Sequence, residues 1–173
     1  MHGVRHPHVR ADESFVRSHP GNPALRPAFT LVELVLVLAI IGIMAAIAAP
    51  RYASAVARTR LDNAARRIAA DIALTRELAQ AASAVRKIDF TIATSSYIIT
   101  GYADPDRPSQ TYSVNLSDPP YGVNMKNADF GGGPSIEYSG HGVTQKSGSV
   151  IILGPTGSRT ISLDAGTGQI TIQ

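Results

Sequence analysis

The chain has no cysteine, so no disulfide staples it and neither thiolate chemistry nor a cysteine metal site is available to it. It has no tryptophan, and aromatic residues make up only 6% of it, which argues against a surface that stacks nucleic-acid bases. Histidine is scarce beyond the first 28 residues: only His141 remains, in Ser139-Gly140-His141-Gly142. This turn-like setting reads as surface loop and leaves no Ser-His-Asp arrangement. Gly131-Gly132-Gly133 is followed by neither Lys-Ser/Thr nor a helix, so it is no phosphate loop. Charge of one sign is also lacking. The formal net charge is +3, much of it from Arg5, Arg10, Arg17 and Arg26 set against Asp12 and Glu13, and the rest of the chain is close to neutral.

One absence points to something positive. Between Glu33 and Arg51 there is no charged residue. Phe29 to Ala49 is 21 residues, and at about 1.5 Å per residue a helix of that length crosses the roughly 30 Å core of a bilayer. A carboxylate at the middle of such a helix costs about 2.5–3.5 kcal/mol, and less near its end. Glu33 is therefore expected to meet a positive partner. Gly42 lies midway, and Pro50 closes the run with a missing N–H and a ring that crowds the carbonyl of Ala46. The helix is expected to kink or loosen between them.

Four parts follow along the chain. Residues 1–28 are polar, rich in Arg, His and Pro, and read as a leader; His2, His6, His8 and His19 lack helical ligand spacing and read as solvated. Residues 29–50 are the span. Residues 51–87 read as an amphipathic helix, with Leu61, Ala65, Ile68, Ile72, Ala79 and Ala82 at three- and four-residue steps. Arg58, Arg60, Arg66, Arg67 and Arg76, with Asp62, Asp71 and Glu77 nearby, read as its solvated face. In residues 88–173 the period falls to two. Strands are expected at 88–92, 97–99, 112–116, 136–138, 150–153, 160–163 and 169–172, the last three as an antiparallel meander. Asp104 to Gly133 reads as a long loop. Asp104, Asp106, Asp118 and Asp129 within it match no calcium-loop spacing, so no metal and no cofactor is expected. The fold class is α+β, one long helix packed on an antiparallel sheet.

Ala28-Phe29-Thr30-Leu31-Val32-Glu33, with Gly42 and Pro50 beyond, resembles the start of a type IV prepilin or pseudopilin, although Ala28 stands where that pattern usually has Gly and the leader is longer than usual. The later segments Ile136–Gly142, Ser149–Leu153, Ser158–Leu163 and Gly166–Ile172 resemble the GspH/FimT-like minor pseudopilins. The resemblance implies a pilin-like fold and a chain that is a substrate and not an enzyme. A prepilin peptidase would cut Ala28–Phe29 and methylate the Phe29 amine, with Glu33, Gly42 and Pro50 serving assembly. It implies a single pass through the bacterial inner membrane with the C-terminal domain in the periplasm or outside. The implied partners are other pilins or pseudopilins, an inner-membrane assembly platform and the lipid bilayer, in a type II secretion pseudopilus or a type IV pilus-like filament. Two alternatives remain. One is a FimT-like DNA-binding pilin, disfavoured because no cation follows Arg159 and the binding would rest on phosphate contacts. The other is a secreted soluble domain cut after Ala46-Ile47-Ala48. Arg51, Arg58, Arg60, Arg66 and Arg67 flank the outer side of the span, against the positive-inside tendency.

Overall fold

The computed structural model describes residues 29–173; the leader, including Ala28, lies outside them. The chain divides into two units, Met1–Ile40 and Ile41–Gln173. A single α-helix, α1 (Leu31–Ala82), begins in the first and continues into the second. Eight strands follow: β1 (Arg86–Thr91), β2 (Ser96–Ala103), β3 (Thr111–Asn115), β4 (Asn124–Asp129), β5 (Ser135–Tyr138), β6 (Gly148–Gly154), β7 (Gly157–Leu163) and β8 (Ile170–Ile172).

The α+β class holds, with the strands divided between two sheets where a single sheet was expected. Their orders are β3-β2-β1-β5 and β4-β6-β7-β8, and every pairing is antiparallel. The C-terminal meander is present. β6 and β7 close on Gly154 opposite Gly157, so Pro155-Thr156 forms a two-residue loop with Gly157 at φ 140°, a conformation open to glycine and strained for other residues. Ser95 ties the two sheets together. Its Oγ accepts the Met125 N–H at 2.9 Å and its carbonyl accepts the Leu116 N–H at 2.9 Å.

The lower half of α1 carries the expected stripe. Leu61, Ala64, Ala65, Ile68, Ile72 and Ala79 are buried in one cluster with Ile88, Phe90, Tyr97, Ile99, Ile136, Val150, Ile152 and Ile161. Each large aliphatic side chain so buried contributes about 1.5–3 kcal/mol. Ala82, placed on the stripe from its spacing, is exposed.

Two expectations need correction. The helix was expected to reach Lys87, yet it stops at Ala82. Ser83 turns left-handed at φ 46°, the Ala84 N–H donates back to the Ala79 carbonyl at 3.2 Å and the Ser83 N–H to the Gln80 carbonyl at 3.1 Å, and these two bonds close a Schellman-type cap. A β-carbon on Gly140 would sit 2.6 Å from the Ser83 carbonyl carbon, so another loop is packed against that turn. β4 lies inside the segment read as loop. Its register shifts between Met125 and Asn127, and this bulge puts buried Met125 and Ala128 three apart, hiding the period of two. α1 is continuous through Gly42 and Pro50.

Candidate functional site

At the start of α1 the residues of the acidic motif also build the helix end. Thr30 Oγ1 accepts the Glu33 N–H at 3.2 Å, and the Thr30 carbonyl accepts the Leu34 N–H at 3.1 Å. A threonine followed three residues later by glutamate is the capping-box pattern, a signal that the apolar reading of this segment passed over. Capping satisfies one of the helix's orphan N–H groups, and Glu33 in the first turn opposes the partial positive charge of the helix end. Phe29 is 81% exposed, and every residue from Phe29 to Ala55 is exposed. An 18-residue window of α1 has mean hydropathy 2.8 with none of it buried, making this helix long and apolar enough to cross a membrane. Leu31–Ile47 therefore presents an apolar surface with a lone carboxylate at one end, an arrangement suited to accepting a cation inside a low-dielectric medium. A β-carbon on Gly42 would meet nothing within 4 Å, so no contact among the described residues requires glycine there. Pro50 sits in the helix interior, where it removes one backbone hydrogen bond.

The second polar constellation is internal and corrects a reading of Asp71 as solvated. Asp71 is 4% exposed, and its Oδ2 accepts three hydrogen bonds: from Tyr97 Oη at 2.6 Å, Tyr112 Oη at 2.8 Å and Arg67 Nε at 3.1 Å. Arg67 also donates to the Tyr112 hydroxyl, and Thr75 Oγ1 donates to the Asp71 carbonyl at 2.7 Å. Burial, followed by the hydrogen bond to Asp71, pushes the Tyr112 hydroxyl up to about 12; burial and the Asp71 charge push Tyr97 higher still. A buried carboxylate this fully satisfied fixes α1 on β2 and β3. Its signal was present in the sequence. Ala64, Ile68, Asp71, Thr75 and Ala79 continue one row of three- and four-residue steps, so a polar residue on the apolar row was the clue.

The other groups singled out from the sequence are engaged locally. Asp104 accepts the Asp106 N–H at 2.9 Å and pairs with Arg107 at 3.0 Å, which together hold its carboxyl below the usual range, the Asp106 bond most of all. Asp118 accepts from Asn115 Nδ2 and Asp129 from the Gly132 N–H. His141 is exposed, and its carbonyl accepts from Gln80 Nε2 at 3.2 Å. Asp62 binds Arg159 Nε at 2.8 Å. Arg58, Arg60, Arg66, Arg67 and Arg76 are exposed. Among the described residues, no group of three or more His, Asp or Glu side chains is placed to hold a metal ion.

Comparison with known proteins adds to this geometry. Residues 26–49 match the prokaryotic N-terminal methylation motif. Three type IV major fimbrial proteins FimA of Dichelobacter nodosus are each 53% identical to the chain over 38 residues, 22% of this chain and 24% of theirs. The chain thus spans about a quarter, 24%, of the length of these curated relatives. The crystal structure of the Pseudomonas aeruginosa type IV minor pilin FimU is similar over 67% of this chain and 90% of its own, with 14% identity and a TM-score of 0.46.

Proposed function

We propose that this type IV pilin-like chain is a minor structural subunit of a type IV pilus-like filament or a type II secretion pseudopilus, assembled after removal of residues 1–28. The observation that carries the reading is a lone carboxylate, Glu33, in the first turn of an apolar helix and within residues 26–49, which match the methylation motif. A prepilin peptidase cuts Ala28–Phe29 and methylates the new amine. That amine is positive and lies at the positive end of the helix dipole, so within lipid it is doubly unfavourable without an anion.

Glu33 is the only carboxylate between Phe29 and Leu61. Within one chain it stands four residues from Phe29, near enough for a pair on one helical face. Between chains, the Glu33 of one subunit meets the Phe29 amine of the next. That contact joins unlike surfaces, so it repeats by rise and rotation and extends into a filament. Each pair offsets part of the burial penalty of both charges. Gly42 and Pro50 weaken the helix ladder and let spans pack while the β-rich parts keep their own spacing. The chain has one pass through the bacterial inner membrane, its partners are other pilins or pseudopilins and the assembly platform, and its role is structural.

The DNA-uptake alternative has less support, because Arg159, the last cation, is held by Asp62 at 2.8 Å. The test is Glu33→Val. Cleavage to Phe29 stays at the wild-type level while incorporation into filaments falls at least tenfold, read from sheared fibres; co-assembly at the wild-type level refutes the pairing.

A further inference from the structure

β5 is an edge strand. It pairs only with β1, with Ile88 opposite Ile136 and Lys87 opposite Glu137. The Phe90 N–H donates to the Pro134 carbonyl at 2.8 Å, and hydrogen-bonded pairs alternate along an antiparallel ladder. Ile136 and Tyr138 therefore turn their backbone groups toward β1, while Ser135, Glu137 and Ser139 turn theirs outward. The Ser139 N–H donates to the Val143 carbonyl at 2.9 Å. Among the described residues, no hydrogen bond reaches the backbone of Ser135 or Glu137.

A groove of about 310 Å³ runs along that edge. Ser135, Glu137 and Ser139 form one wall, and residues 143–146 form the other. Buried Thr144 anchors the second wall. The two ends of the groove differ. Val85 and Val143, 58% and 56% exposed, flank the Ser139 end. Lys146 marks the other end, where its Cγ lies 3.4 Å from the place a β-carbon on Gly131 would take, just ahead of β5. Lys146 forms no salt bridge among the described residues. A whole sheet does not fit here, because its second strand would follow about 4.8 Å beyond the first and meet the wall of residues 143–146. One extended chain does fit.

We infer that this groove takes one extended peptide segment of a partner protein as an added strand, antiparallel to β5. Two residues of that segment, two apart, exchange backbone hydrogen bonds with Glu137 and Ser135. The residue opposite Ser139 is apolar and packs against Val85 and Val143. The residue opposite Ser135 is acidic and faces Lys146. Strand addition satisfies donors and acceptors that the fold leaves to water, and the alternate side chains decide which segment is accepted. No residue of the apolar half of α1 takes part, so the site does not depend on the filament reading.

The probe is the capped, dye-labelled hexapeptide Thr-Val-Thr-Thr-Thr-Glu, titrated with the detergent-solubilised full chain and read by fluorescence anisotropy. It binds saturably. N-methylation of its fourth and sixth residues weakens binding at least about tenfold, because those amides donate to Glu137 and Ser135. Lys146→Glu weakens it about threefold, as expected for one exposed ion pair, and Lys126→Glu, outside the groove, leaves it unchanged. Hydrogen exchange reads the site directly. In the chain alone the Ser135 and Glu137 amides exchange fast and the Ile136 amide slowly, and the peptide slows the first two. No saturable binding, equal binding of the methylated peptide, or an equal response to the two lysine substitutions overturns the inference. Slow exchange of Ser135 and Glu137 in the chain alone also overturns it, since their edge is then already paired, by residues 143–146 or by a second copy.

Discussion

The two halves of α1 use the same secondary structure for opposite ends. From Leu34 to Ala49 the helix is apolar on all sides and wholly exposed, whereas from Leu61 to Ala79 only one stripe is apolar and that stripe is buried. The second half is specified by what the chain itself supplies: β-sheet faces, and hydroxyls for the one acid on the stripe. Among the described residues nothing covers the first half, and its apolar surface is exposed throughout. The two acids show the same division. Asp71 has three donors within its own fold, while among the described residues Glu33 has a backbone cap and no salt-bridge partner.

That contrast can be broken most severely at Asp71. Asp71→Ala strands two buried tyrosine hydroxyls and removes the partner of Arg67, for an expected loss of about 3 kcal/mol. The partial exposure of Arg67 keeps the figure at the low end of such losses. Thermal unfolding of the detergent-solubilised chain should show it; a loss below about 1 kcal/mol would mean that the network does not hold α1 on the sheets.

Alkali should attack the same place more gently. Tyr112 keeps its proton to about 12 when folded, against about 10 in an unfolded chain. Between those values the folded state holds more protons, so raising pH favours unfolding. Stability is full below pH 10 and falls by about 2 kcal/mol as pH rises through 12. Tyr112→Phe should make that limb shallower in a denaturation series without abolishing it, because Tyr97 and Tyr138 are also raised by burial. The smallest effect belongs to the other half. Ile43 is 65% exposed, so Ile43→Ala should move the unfolding transition of the β-rich part by no more than about 0.5 kcal/mol.

Legibility from sequence follows the same line. β1 to β3 and β5 to β8 carry β-branched and aromatic residues, and each coincides with an expected strand. β4 (Asn-Met-Lys-Asn-Ala-Asp) has neither the composition nor the period, because Lys126 is the extra residue of a bulge. The helix end at Ala82 was illegible for a different reason. Ser83 and Ala84 are neither glycine nor proline, and the turn is imposed by tertiary packing against Gly140. Division into two sheets depends on which strands pair at long range, and local periodicity holds no record of that. At the N-terminal end the apolar helix was legible, since a long run without charge is conspicuous. The capping role of Thr30 leaves no mark on hydropathy and is carried by the spacing of Thr30 and Glu33 at the helix start.

The account's central claim is that Glu33 exists to meet an amine created at Phe29. The intact mass of the chain recovered from sheared filaments tests it most directly. The account predicts a chain that begins at Phe29 and carries one added methyl group. Recovery of a chain that retains residues 1–28, or one that begins at Ala49, contradicts it.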